Sequence, residues 1–141
     1  MASPTSPTTA VPGNALASFP LFDGVDARGA LAWQTGNKSI REVMLNILLT
    51  RPGERLMRPE FGAGIRNFIH QPNNETTRAL VADAAQRALA RWEPRVAVEE
   101  VRVVPDARRL SHIHLSIRYR VRRDGSRDSF DLAIELGPPT R

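Results

Sequence analysis

Residues 112–136 read HIHLSIRYRVRRDGSRDSFDLAIEL, and apolar and polar side chains trade places along them at nearly every step. Ile113, Leu115, Ile117, Tyr119 and Val121 share one parity, against His112, His114, Ser116, Arg118, Arg120 and Arg122 on the other. Phe130, Leu132, Ile134 and Leu136 then alternate with Asp131, Ala133 and Glu135. A period of two sends successive side chains to opposite faces of a strand, so the stretch reads as two strands, each with one face in a core and one in water. Asp124-Gly125 between them is a favoured two-residue hairpin turn. Closing the hairpin there pairs Arg123 with Ser126. Counting outward sets Tyr119 opposite Phe130, Ile117 opposite Leu132, Leu115 opposite Ile134, and Ile113 opposite Leu136. On the polar face Arg118 meets Asp131 and His114 meets Glu135. Each cross-strand pair contributes about 0.2 to 1 kcal/mol, so the apolar face sets the register and the charges refine it. The outer face stays polar, and the last strand is expected at an edge.

Upstream, a first strand covers Val96 to Val104. Val96 and Val98 lie on one parity and Val101 and Val103 on the other, which predicts a bulge or bend near Glu99 and Glu100. Before Glu93-Pro94-Arg95 the period is 3.6. Thr77, Val81, Ala84, Ala85, Ala88 and Trp92 form one stripe of a helix that Asn73 or Asn74 caps, with Glu75 in its first turn. Pro72 ends a short helical turn around Ile65 to Ile69. Earlier still, from Ser39, Ile40, Val43, Met44, Ile47 and Leu48 fall at helical spacing, with Arg41, Glu42 and Asn46 on the other face. Pro52 and Gly53 stop that helix and suit a type II turn. Residues 19–38 read as a loop with one short strand near Leu31 to Trp33, and residues 1–18, rich in Pro, Ser and Thr, as an arm without secondary structure. The expected fold is α+β, a single domain over residues 19–137 in which two or three helices pack on a small antiparallel meander, with a short tail at 138–141.

Composition narrows the functions. The chain has 141 residues, 41% of them hydrophobic, which suits one domain with a real core. It has no cysteine, so disulfides, thiolate catalysis and thiolate-bound zinc are excluded. No signal peptide is legible and no segment approaches the roughly 20 apolar residues of a membrane span, so a cytoplasmic protein without membrane insertion is expected. The net charge of +5 comes from nineteen arginines and Lys38 against fifteen acids. Coding bias explains such a preference for arginine as well as selection for carboxylate or phosphate partners does.

Catalytic constellations are weak. A glycosidase needs two carboxylates about 5 to 9.5 Å apart, one with a raised pKa. The candidates Glu42, Glu54, Glu60 and Glu93 mostly lie beside arginines or in turns, surroundings that lower a carboxyl pKa. His112 and His114 share a strand face, but His70, the third histidine, is distant in sequence, so no metal is expected. GAGI, residues 62–65, lacks the spacing and lysine of a phosphate loop. The stripe Arg118, Arg120, Arg122, Arg123 and Arg127 is faced by Asp131 and Glu135 in the hairpin, which argues against nucleic acid.

One further pattern is specific. SIREVMLNILLTRPGERLMRPEFGAGIRNFI, residues 39–69, followed by a helix, then EPRV at 93–96 and the meander, resembles the baseplate wedge family of contractile phage tails, type VI secretion and related injection systems. Phage members carry an old lysozyme label. The residues that carry the resemblance are Thr50, Pro52, Gly53, Glu54, Arg55, Pro59, Phe61 and Gly62, then Glu93, Pro94 and Arg95. The resemblance implies a structural, non-catalytic subunit that links the wedge to the first sheath ring and starts sheath assembly by strand addition. A lysozyme-type glycosidase is the alternative. The implied partners are other wedge proteins, contacted through Glu93, Pro94 and Arg95, and the sheath protein, with tube or hub proteins as further candidates. The sheath-facing strand would be Phe130, Asp131, Leu132, Ala133, Ile134, Glu135 and Leu136. No cofactor and no small-molecule substrate are implied. Independently of the family, the corners at Pro52, Gly53, Pro59 and Gly62 look able to fold the loop back over the first helix, leaving Glu54, Arg55, Arg58 and Glu60 for ion pairs.

Overall fold

A computed structural model describes residues 17–18, 27–29 and 34–136. The chain divides into two compact units, Met1–Glu42 and Val43–Arg141. In the first, β1 (Ala17–Ser18) pairs antiparallel with β2 (Gln34–Thr35), Ala17 opposite Thr35. The expectation of no structure through residue 18 is corrected at its last two residues. A strand pairing reaches back to them, which no local pattern announces. The strand expected at Leu31 to Trp33 lies outside the described residues. Helix α1 (Gly36–Leu49) follows β2 directly and runs across the division.

In the second unit the chain continues through a loop into a 3-10 turn at Ile65–Phe68 and helix α2 (Glu75–Trp92). Strands β3 (Val96–Pro105), β4 (His112–Val121) and β5 (Arg127–Glu135) then form one antiparallel sheet in that order. Over the described residues the fold is α+β, with two helices, a three-stranded meander and the short β1–β2 pair. Asn74 caps α2, its side-chain oxygen accepting the Thr77 N–H at 2.7 Å. Asn73 works differently: its side-chain amide donates to the carbonyl oxygens of Leu110 and His112, tying the start of α2 to the β3–β4 turn.

Helix α2 packs against β3 and buries Thr77, Val81, Ala85, Ala88 and Leu89. Leu89 was absent from the expected stripe, while Ala84 and Trp92 on that stripe stay half-buried. The sheet buries Val96, Ile113, Leu115, Ile117, Tyr119 and Val121. Each large aliphatic side chain so removed from water contributes about 1.5 to 3 kcal/mol, and this face gives β4 its place at the centre of the meander. The expected break in parity in β3 is present as a register shift between Val98 and Glu100.

The hairpin register differs from the sequence reading by two residues. Ile117 lies opposite Phe130, Leu115 opposite Leu132 and Ile113 opposite Ile134, while Tyr119 faces Asp128. A two-residue slip keeps every side chain on its expected face, so the apolar pattern cannot detect it. The turn decides. A type I′ turn on Asp124-Gly125 needs positive φ at both residues, yet among the described residues only glycines have positive φ, Gly125 at 72°. The chain takes a four-residue loop over 122–125 instead, in which Gly125 N–H donates to Val121 O at 2.9 Å and Val121 N–H to Ser126 O at 2.8 Å. The Asp124 carboxylate accepts from both the Ser126 N–H and its hydroxyl, and these bonds hold the Asp124 pKa below its ordinary value.

The polar pairs are corrected with the register. Ser129 lies opposite Arg118 and Ala133 opposite His114. Arg118 instead forms an ion pair with Glu100, its cross-strand neighbour on β3, and Arg102 bonds the same carboxylate. These arginines, Arg102 first, hold the Glu100 pKa low. His114 Nε2 contacts Asp106 Oδ2 at 2.6 Å. That contact, with the Arg108 and Arg109 N–H groups, draws the Asp106 pKa from 3.8 to about 2. Of the arginine stripe, Arg118, Arg120 and Arg127 are thus met by acids of β3, Glu100 and Glu99.

Candidate interaction surfaces

Three features of the second unit remain after the fold is accounted for: the loop after α1, the junction between α2 and β3, and the outer edge of β5. The loop is three tight turns in succession. Glu54 N–H donates to Arg51 O at 3.0 Å, Arg58 N–H to Arg55 O at 3.2 Å, and Phe61 N–H to Arg58 O at 3.1 Å. Gly53, φ 90°, takes the third position of the first turn, the type II geometry that Pro52-Gly53 favours. Gly53 N–H closes the base of the loop on Pro59 O at 2.5 Å.

The loop does fold back on α1. Ala63 N–H donates to Ile47 O and Gly64 N–H to Thr50 O, so the loop supplies donors to carbonyls at the end of the helix. The half-buried Asn46 side chain accepts from the Thr50 hydroxyl and from Arg55 Nη2, both at 3.0 Å. The Arg55 guanidinium also stacks 4.0 Å above the Phe61 ring, which packs on Trp92 with centroids 5.3 Å apart. Glu60 pairs with Arg91 of α2, and Glu54 accepts the Arg51 N–H at 2.9 Å. Gly62 is where the backbone passes closest: a Cβ there would lie 2.2 Å from Thr50 O. The residues of the loop pattern thus act together, as corners, caps and stacking partners.

At the junction, Glu93 and Arg95 pair with each other. Arg95 Nε donates to Glu93 Oε1 and Nη2 to Oε2, each at 2.6 Å, a bidentate fork on a carboxylate only 2% exposed. The Glu93 carboxylate holds the Arg95 pKa above its ordinary value. Glu93, Pro94 and Arg95 form a turn: Val96 N–H donates to Glu93 O at 3.4 Å. Arg122 closes over it, its N–H on Arg95 O and its Nε on Val96 O. Pro94 itself is exposed.

The third feature follows from hydrogen-bond parity. Val121 N–H donates to Ser126 O at one end of the β4–β5 pairing and Leu136 N–H to Ser111 O at the other, with an unbroken register between. Even-numbered residues of β5 therefore turn their backbone groups to β4, and odd-numbered ones turn theirs outward. Ser129 N–H is taken by its neighbour Asp128 Oδ1 at 2.8 Å. The outward groups of Asp131, Ala133 and Glu135 have no partner among the described residues. Phe130, Leu132 and Ile134 are half-buried and Leu136 is buried just past the strand, so the expected seven-residue strand is shifted to Arg127–Glu135.

Three of the four carboxylates proposed for catalysis are engaged. Glu93 is locked to Arg95, Glu60 to Arg91 and Glu54 to a backbone N–H, while Glu42 lies half-buried on α1. Among the described residues no three histidine or acidic side chains gather as a metal site. A hollow of about 530 Å³ lies between Glu99, Arg118, Tyr119, Arg127 and Asp128, with Arg127 Nε 3.2 Å from Glu99. Among the described residues no helix is long and apolar enough to cross a membrane.

Comparison with known proteins gives the family of the chain. The model of the family described as baseplate wedge protein gp25 matches residues 34–126, and the chain belongs to that family. It is a baseplate wedge component of contractile tail systems. Over 91 residues it is 28% identical to the baseplate wedge protein gp25 of Enterobacteria phage T4, covering 60% of this chain and 69% of that one. It is 31% identical over 67 residues to baseplate protein W of Escherichia phage P2, covering 48% of this chain and 58% of the relative. Among solved structures, a Geobacter sulfurreducens protein provisionally described as a tail lysozyme superposes with a TM-score of 0.68 at 32% identity, over 77% of this chain and 98% of that one. A chain of the postcontracted pyocin R2 baseplate gives 0.53 at 25% identity, over 86% and 100%. A chain of the anti-feeding prophage baseplate shares the fold, with a TM-score of 0.60 at 16% identity over 88% of each.

Proposed function

We propose that this wedge component starts the sheath: it joins the wedge to the first sheath ring and offers the outer edge of β5 as the template on which a sheath strand adds. The observation that carries this reading is the row of outward N–H and C=O groups at Asp131, Ala133 and Glu135, along one of the two edges of the sheet. Such an edge gains a ladder of bonds when a strand pairs with it. Wedge proteins are the second set of partners, contacted around Glu93, Pro94 and Arg95. With the Arg95 fork taken up by Glu93, the exposed Pro94 and the rigid turn are what a wedge protein would meet. Tube or hub proteins are further candidate partners.

The role is non-catalytic on this reading, supported by carboxylates held in ion pairs and by relatives named as baseplate proteins. The description of the Geobacter relative keeps a lysozyme activity as the second reading, checked by peptidoglycan turnover with purified protein. The main test is Ala133→Pro. Its N–H faces outward, so proline there costs the monomer little and removes a donor from the template. Baseplates that contain the variant but carry no sheath are the expected outcome. Leu132→Pro, whose N–H faces β4, should unfold the hairpin. Normal sheath on Ala133→Pro baseplates would refute strand addition at this edge.

A further inference from the structure

Leu56 and Met57 occupy the two central positions of the turn from Arg55 to Arg58, and they are 97% and 94% exposed. One exposed apolar side chain is ordinary. Two in succession, on a loop that cannot fold them inward, are not. The base is closed by Gly53 and Pro59, Arg55 is bound to Asn46 and stacked on Phe61, and Glu60 is paired with Arg91. The loop therefore pays its ordering cost before any partner arrives, the condition under which a small apolar anchor contributes most to binding. The charges around the tip have a sign. Glu54 is engaged with the Arg51 N–H and Glu60 with Arg91, whereas the guanidinium groups of Arg51 and Arg58 have no partner among the described residues.

We infer that Leu56 and Met57 form a preformed plug for an apolar pocket with an acidic rim on a different protein of the baseplate, Arg51 and Arg58 meeting the rim. The inference rests on membership of the wedge family and adds a docking surface separate from the β5 edge. A second copy of this chain fits poorly. The hollow beside the loop, lined by Arg87, Arg91, Trp92 and Glu60, is rimmed by cations, and the one between Glu100, Arg102, Ser116 and Arg118 is polar. The acid in each is already engaged, Glu60 by Arg91 and Glu100 by Arg102 and Arg118.

The test uses the full chain expressed with the other baseplate genes of its particle, reading how much of it enters purified baseplates. Leu56→Ser with Met57→Ser should lower incorporation about tenfold and leave the melting temperature unchanged, because neither side chain touches the core. Arg51→Glu with Arg58→Glu should lower it as well. A photocrosslinker, Leu56→p-benzoylphenylalanine, should attach to another baseplate subunit at an apolar segment flanked by Asp or Glu. Normal incorporation of the serine variant would overturn the plug, as would a crosslink to a second copy of this chain or to sheath. The outcomes separate from those of the strand edge: Ala133→Pro enters baseplates without recruiting sheath, whereas a plug variant does not enter. A wild-type chain missing from baseplates would overturn both.

Discussion

Gly62 and Gly53 are both corners of one loop, yet substitution should affect them unequally. Alanine at Gly62 would need φ near 107° and would place its Cβ 2.2 Å from Thr50 O, so the loop must shift off α1. Gly62→Ala should cost about 2 to 3 kcal/mol, and Gly53→Ala, with nothing within 4 Å of the new Cβ, about 1 kcal/mol for its positive φ. Urea titration of the two variants checks the difference; equal losses would mean that the Thr50 contact is not what requires glycine. The Glu93 and Arg95 pair permits a sharper expectation. Arg95→Ala strands a carboxylate that is 2% exposed, and removing one partner of a buried pair costs about 3 kcal/mol or more. Arg95→Ala is therefore expected to melt well below wild type, and unchanged stability would assign the arginine to a partner alone.

Among the elements, the β4–β5 hairpin separates what a pattern specifies from what a turn specifies. Alternation puts Ile113, Leu115 and Ile117 inward in either register, whereas the loop at 122–125 selects one. Amide hydrogen exchange reads the result directly. Leu132 and Ile134 N–H groups, turned to β4, should be protected, and those of Asp131, Ala133 and Glu135 should exchange as freely as in an open chain. Protection at the outward set in the isolated protein would mean that the edge is already covered, and the template would be lost.

For the molecule as a whole, the arginine-rich outer sheet resembles a polyanion site until the partners are counted. Glu99 and Glu100 from β3 answer Arg102, Arg118, Arg120 and Arg127. Glu99→Gln with Glu100→Gln raises the net charge of +5 by two and leaves those cations unanswered. The double variant should elute from heparin at distinctly higher salt than wild type, while its stability falls by about 1 kcal/mol or less, as for exposed pairs generally. Identical elution would show that the two glutamates do not mask the stripe.

Most of the architecture was legible without coordinates, because hydrophobic period is a local property. Val81 and Ala85 mark one helix face and Ile113 to Val121 mark one strand face whatever surrounds them, and Asn74 with Glu75 announces a helix start by chemistry alone. The loop pattern from Thr50 to Gly62 was also legible as a set of corners. Tertiary structure decided the rest, since each remaining choice lay between partners far apart in sequence or between alternatives that the period treats alike. Asp124-Gly125 could not tell a two-residue turn from a four-residue loop, because both keep the apolar face. Arg118 took its counter-charge from β3 because strand order, which alternation does not encode, placed Glu100 beside it. Glu93 and Arg95 were each legible as charged, but their closure on one another depends on a turn that buries the carboxylate, and burial exists only once α2 and the sheet have met.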